Sequence, residues 1–167
     1  LGGKRSKRTQ VATTEKKLVT WDLKATRLDI LAKAKKDFMT VLAAQERVAL
    51  ANELSGMARK QLTAVTERVN AGKVSPLERS KAEVELVTDE ITQEQAERAL
   101  RVSRKQLAMN WGSSSAKYKG VQGQLVSLAE LPDLTHLLRL RKQNPDIARL
   151  ATEIQLQRAG IAAERST

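Results

Sequence analysis

The chain has 167 residues, enough for one ordinary domain with a good core. Only 2% of it is aromatic, however, and Ala, Leu, Val, Glu, Lys, Arg and Gln dominate, which excludes a compact globule built on aromatic burial and points to long helices. The absence of cysteine excludes a disulfide framework and a thiolate metal site, and the formal net charge of +11 is compatible with nucleic acid, an anionic surface or an acidic protein partner.

The sequence opens on Leu1-Gly2-Gly3-Lys4-Arg5, which reads as the start of a fragment, with a basic cluster at Lys4, Arg5, Lys7 and Arg8. No signal-peptide pattern and no apolar run long enough for a membrane-spanning helix are present. Residues 6–70 hold no proline and a single glycine, Gly56. A helix over that span is about 95 Å long at 1.5 Å per residue. Leu28, Leu31, Ala34, Phe38, Val41 and Val48 recur at helical spacing, and Leu50, Leu54, Met57, Leu62, Val65 and Val69 continue the stripe with a drift away from a strict heptad. Such a helix cannot bury its stripe alone and needs several neighbours.

Residues 71–75 form the tip of an αα-hairpin. Gly72 suits the left-handed conformation that ends a helix. Ser75 is an N-cap, Pro76 follows at the first helical position, and Glu78 stands where a reciprocal capping box needs it. The second helix is predicted over 76–110, with Leu77, Val84, Val87 and Ile91 as its first apolar face, followed by Ala96, Leu100 and Leu107. Trp111-Gly112-Ser113-Ser114-Ser115 stops it. An irregular segment over 111–134 carries Gly120, Gly123 and short apolar runs such as Leu125-Val126. A short helix is predicted over 134–142, opened by Pro132-Asp133. Asn144 caps a last helix with Pro145 at its first position, running over 145–167 with Ile147, Leu150, Ile154 and Ile161 as its apolar face.

Little here supports catalysis, and the chain reads as a non-enzyme. His136 is the single histidine and has only Asp133 as an acidic neighbour at helical spacing. One His and no Cys cannot supply a soft metal-ligand set, so neither a metal nor a cofactor is expected. Carboxylates such as Glu83 and Glu85, or Asp89 and Glu90, do not converge on one point. Gly2-Gly3-Lys4 lacks the remaining spacing of a phosphate loop. Basic residues interleave with acidic ones, as at Glu78-Arg79 and Glu97-Arg98, and the aromatics are too few for base stacking; no nucleic-acid partner is expected.

Four segments, in order, resemble the TolC-like outer-membrane efflux channels, in the heavy-metal (cobalt–zinc–cadmium) resistance subgroup. Leu1–Arg5 resembles the exit from a β-hairpin into a long periplasmic helix. Arg68-x-x-x-Gly72-x-x-Ser75-x-Leu77-Glu78, with Arg79 and Ala82-Glu83, resembles the hairpin turn. Leu107–Gly112 resembles the end of the second helix, and Asn144-Pro145-Asp146-Ile147-Ala148 the start of the helix climbing back to the barrel. The resemblance implies an all-α fold: a long antiparallel, coiled-coil-like α-hairpin plus shorter helices, one repeat of a periplasmic α-barrel. It implies a homotrimeric parent in the outer membrane of a Gram-negative bacterium, whose missing β-barrel is the only membrane contact, and a soluble periplasmic piece with 111–134 in the equatorial belt. It further implies a role as exit duct of a tripartite RND-type pump, exporting heavy-metal cations. The tip residues Arg68, Asn70, Gly72, Lys73, Val74, Ser75 and Leu77 would dock a periplasmic adaptor and, through it, the inner-membrane pump, with Gly72, Ser75, Pro76, Glu78, Asn144 and Pro145 shaping turns and caps. Two alternatives stand beside it: the α-hairpin of a periplasmic adaptor, and a basic helical nucleic-acid binder. An adaptor would continue into a lipoyl-like β domain, whereas this chain continues into the Asn144-Pro145 helix.

Overall fold

A computed structural model of the chain describes residues 3–125, 131–141 and 143–165. Leu1 and Gly2, Val126 of the apolar pair, Lys142 at the expected end of the short helix, and Ser166 and Thr167 lie outside the described residues. Four helices follow in order: α1 (Lys4–Asn70), α2 (Pro76–Met109), α3 (Leu134–Arg141) and α4 (Pro145–Glu164). The described residues contain no strand, and the fold is all-α with a long antiparallel hairpin. The chain divides into two compact units, Leu1–Ala32 with Ala129–Thr167, and Lys33–Leu128.

In the Lys33–Leu128 unit, the second half of α1 and the whole of α2 form the hairpin. The α1 side of their seam runs through Val41, Ala44, Val48, Ala51, Ser55, Ala58, Leu62, Val65 and Val69, alternating steps of three and four over the whole length. Its α2 side runs through Ala82, Leu86, Asp89, Gln93, Ala96, Leu100, Ser103 and Leu107 in the same rhythm. This is a coiled-coil heptad. Small residues dominate where the helices meet: Ala44, Ala51, Ser55, Ala58, Ala82 and Ser103 are buried. Arg59 pairs with Glu90 at 2.7 Å, and Gln61 donates to Glu85 at 3.1 Å, stitching the rim.

The expected stripe is therefore corrected. Leu50, Leu54 and Met57 each stand one position before a seam residue, about 100° around the helix, and lie on its outer surface. Leu77, Val84, Val87 and Ile91 are exposed as well, so the inner face of α2 is the one that carries Ala82 and Leu86. The sequence reading followed side-chain size, whereas the helices approach one another through their smallest residues.

The other unit repeats that arrangement. Lys7, Val11, Thr14, Leu18, Trp21 and Ala25 of α1 are half-buried, and the inner face of α4 is Pro145, Arg149, Thr152, Leu156, Ala159 and Ala163. Arg149 Nε donates to Asp22 at 2.5 Å and Nη1 reaches Glu153 at 3.5 Å. The neighbouring carboxylates, Asp22 foremost, hold the Arg149 pKa above its ordinary value. The expected α4 face is corrected too: Ile147, Leu150, Ile154 and Ile161 are exposed. None of the α3 residues is buried, although Leu134, Leu137, Leu138 and Leu140 make up half of it.

Candidate functional site

The hairpin tip lies wholly within the Lys33–Leu128 unit. Gly72 has φ of 69°, a conformation that costs an L-residue but not glycine. Around it Lys73 N donates to Arg68 O at 2.9 Å and Gly72 N donates to Val69 O at 2.9 Å. These are the six-to-one and five-to-two bonds of a Schellman motif, which satisfy the last carbonyls of α1. Two residues on, Ser75 is extended (φ −66°, ψ 145°) and its hydroxyl accepts from Leu77 N at 3.3 Å. Pro76 follows at the first position, where a missing N–H leaves nothing unsatisfied.

The capping box is not reciprocal. Glu78 N donates to Ser75 O at 3.0 Å, while the Glu78 carboxylate accepts from Lys81 Nζ at 2.9 Å. The carboxylate therefore contributes through its position in the first turn, where negative charge favours the helix N-terminus, rather than through a bond back to Ser75. Arg68, Asn70, Lys73 and Leu77 are exposed around the turn and Val74 is half-buried. Among the described residues neither Arg68 nor Lys73 has an ion-pair partner, whereas Arg79 and Lys81 are engaged by Glu83 and Glu78. The turn thus carries, at its exposed surface, two cations without ion-pair partners among the described residues, an amide and an apolar side chain.

At the far end of α2 the same device recurs. Gly112 has φ of 75°, Ser113 N donates to Ala108 O at 3.2 Å and Gly112 N to Met109 O at 3.0 Å. The chain then lies against α1 as an extended segment. Gln45 binds Val121 through both ends of its amide, Nε2 donating to Val121 O at 2.9 Å and Oε1 accepting from Val121 N at 2.7 Å. A side chain here does what a neighbouring strand does in a sheet. Gly120 and Gly123 make the approach possible: a Cβ on Gly120 would stand 2.9 Å from Gln45 Oε1, and one on Gly123 would stand 3.2 Å from Leu42 Cδ2. Asn110 Nδ2 donates to Asp37 at 2.7 Å and closes the corner. Sequence reasoning missed this clamp; the Gly120-x-x-Gly123 pair was its one visible trace.

Asn144 caps α4, accepting from Asp146 N at 2.8 Å with Pro145 at the first position. Asp133 accepts from the Thr135 hydroxyl and from the Leu134 and Thr135 amides. These bonds, the Thr135 hydroxyl first, lower its pKa. The tie leaves Asp133 facing the start of α3 rather than acting as a partner for His136. Among the described residues no three His, Cys, Asp or Glu side chains gather into a metal-binding group. Among the described residues no helix is long and apolar enough to cross a membrane.

A family model described as outer membrane efflux protein matches residues 1–113. The chain belongs to the outer membrane efflux protein family. It is 35% identical over 166 residues to the cobalt-zinc-cadmium resistance protein CzcC of Cupriavidus metallidurans (strain CH34). That alignment covers 99% of this chain and 40% of the relative, so the chain spans well under half the length of that protein. No solved structure matches. The family match covers all of α1, the tip and α2, and it counts against both the adaptor-hairpin and the nucleic-acid alternatives.

Proposed function

We propose that this chain is the periplasmic wall of an outer-membrane efflux duct, a passive conduit that exports heavy-metal cations and docks a periplasmic adaptor at the hairpin tip. The parent protein is a homotrimer in a tripartite pump. The observation that carries the reading is the outward placement of the large apolar side chains. Leu50, Leu54 and Met57 on α1, and Val84, Val87 and Ile91 on α2, are between 43% and 67% exposed. Each set keeps helical steps of three and four, so each is a second seam left open by the hairpin. Burying one such side chain is worth about 1.5–3 kcal/mol. A wall of hairpins standing side by side covers both seams at once.

The chemistry of the tip fits a docking role: Arg68, Asn70, Lys73, Val74 and Leu77 surround a turn whose backbone is fixed by Gly72 and Ser75. Pro76 and Glu78 start α2, and Asn144 and Pro145 start α4, as structural residues. Heavy-metal export is suggested by the relative, a cobalt-zinc-cadmium resistance protein. No catalytic residue and no resident metal belong to this reading.

This chain has no cysteine, so paired cysteines introduced into it test the reading once any cysteine elsewhere in the full-length protein is replaced by serine. In the full-length protein, Met57→Cys and Ile91→Cys together, which stand level on the two outer faces, are expected to form disulfide-linked oligomers under mild oxidation. Cysteines at exposed Lys60 and Ala99, outside both seams, are expected not to. Cross-linking only from the second pair would overturn the assignment of these seams to the duct wall.

A further inference from the structure

Beyond the duct and its tip, the end of α2 carries an excess of positive charge. Between Glu97 and Glu130 there is no carboxylate, while Arg98, Arg101, Arg104, Lys105, Lys117 and Lys119 all fall in that stretch. Four of the six, Arg98, Arg101, Arg104 and Lys105, line one cleft of about 480 Å³ together with Ser115. Arg101, Arg104 and Lys105 are three and four residues apart on one helix face, a spacing at which like charges repel. Arg98 is held by Glu94 at 2.7 Å, but the nearest approach of Glu97 to Arg101 is 3.9 Å, and Lys105 has no ion-pair partner among the described residues.

One of these cations is already fixed in place. Arg104 Nη2 donates to the Tyr118 carbonyl, and Tyr118 Oη returns a bond to Arg104 O at 2.8 Å. The guanidinium lies over the Tyr118 ring, 5.5 Å from its centre, and Trp111 packs at a tilt 6.0 Å from the same ring. Arg104 Nε is buried without a hydrogen-bond partner. An arginine pinned along one edge has little side-chain freedom left to lose when an anion binds. Arginine beside lysine, with no competing carboxylate in the cleft, suits a compact oxyanion of more than one charge.

We propose that the cleft formed by Arg98, Arg101, Arg104, Lys105 and Ser115 binds a multivalent oxyanion of the phosphate class. Arg104 and Lys105 supply the permanent charge, Arg101 swings from its long contact with Glu97 to the ligand, and Ser115 offers a hydroxyl donor. The same chemistry is met in a free pyrophosphate and in a phosphate headgroup at a lipid surface.

The test is calorimetric titration of the chain with inorganic pyrophosphate at near-physiological salt. One saturable site is expected. Arg101→Gln with Lys105→Gln removes two exposed cations without touching the packing, and is expected to weaken binding at least about tenfold, as the loss of two charge-assisted contacts implies. Arg47→Gln with Lys60→Gln removes the same net charge elsewhere on the unit and is expected to change affinity by less than about twofold, the scale of a screened distant charge. Equal weakening by both pairs would show binding by net charge alone and overturn the site, as would the absence of a saturable phase. Flotation with phosphatidic acid vesicles against phosphatidylcholine vesicles separates the sources. Vesicle binding lost in the cleft pair assigns a headgroup, and pyrophosphate binding alone assigns a free anion.

Discussion

Gln45 is the residue on which the segment after α2 depends. Its amide answers both the N–H and the C=O of Val121, and both Gln45 and Val121 are half-buried. Leucine at this position leaves two backbone groups without partners, at a cost of about 1–3 kcal/mol. The expected signature of Gln45→Leu is loss of hydrogen-exchange protection at Val121, with little change at Arg59–Glu90 farther up the hairpin. Tyr118 supplies a second readout, because it is the only tyrosine. Burial raises its pKa, against an opposing pull from Arg104. A phenol whose folded pKa is raised contributes stability that is present below the unfolded value, about 10, and is lost as the pH rises through the folded one. Titration by ultraviolet absorbance is therefore expected to give a phenolate midpoint above that of the unfolded chain. Unit stability should fall over the same interval, and Tyr118→Phe should remove that pH dependence. Asp133 has the opposite sign: its lowered pKa means that its hold on the start of α3 is kept above the unfolded carboxylate value and lost as the pH falls through the folded one.

At the scale of elements, ends were easier to read than faces. The turn at Gly72 and the caps at Ser75 and Asn144 are local chemistry, decided by which residues can take φ above zero, accept from a free amide or dispense with an N–H. Gly72→Ala and Gly112→Ala are each expected to cost about 1 kcal/mol in thermal unfolding, through left-handed backbone strain alone. Open space surrounds both positions, so no clash adds to that strain. Ser75→Ala is expected to cost a similar amount, about 1 kcal/mol, as a lost N-cap. The packing faces were read only in part, because side-chain size misleads where two helices meet through alanine and serine: Val41, Leu62, Val65 and Leu107 do lie in the seam. Ala51, Ser55 and Ala58 let the backbones approach, whereas the larger Leu50, Leu54 and Met57 stand on the exposed face. The Gln45–Val121 clamp was illegible for a different reason. It joins residues 76 apart in sequence, and a glutamine in mid-helix gives no sign of its partner.

For the whole molecule, family membership rests on the match over residues 1–113 and on 35% identity to CzcC across nearly the entire chain. The order of the quoted segments already pointed that way, since a stop at Gly72, a start at Ser75-Pro76 and a second start at Asn144-Pro145 are fixed by backbone chemistry. The role of the tip is a proposal, and it is the claim on which the functional account turns. Its most direct test is the affinity of the full-length protein for the α-hairpin of a periplasmic adaptor. The native protein is compared with a Gly72→Pro, Ser75→Ala variant whose helicity is unchanged by circular dichroism. Proline cannot adopt the φ of 69° found at Gly72, so the variant reshapes the turn and leaves both helices. The account predicts saturable binding by the native protein and its loss in the variant. Equal binding by both, or none by the native protein, would contradict it.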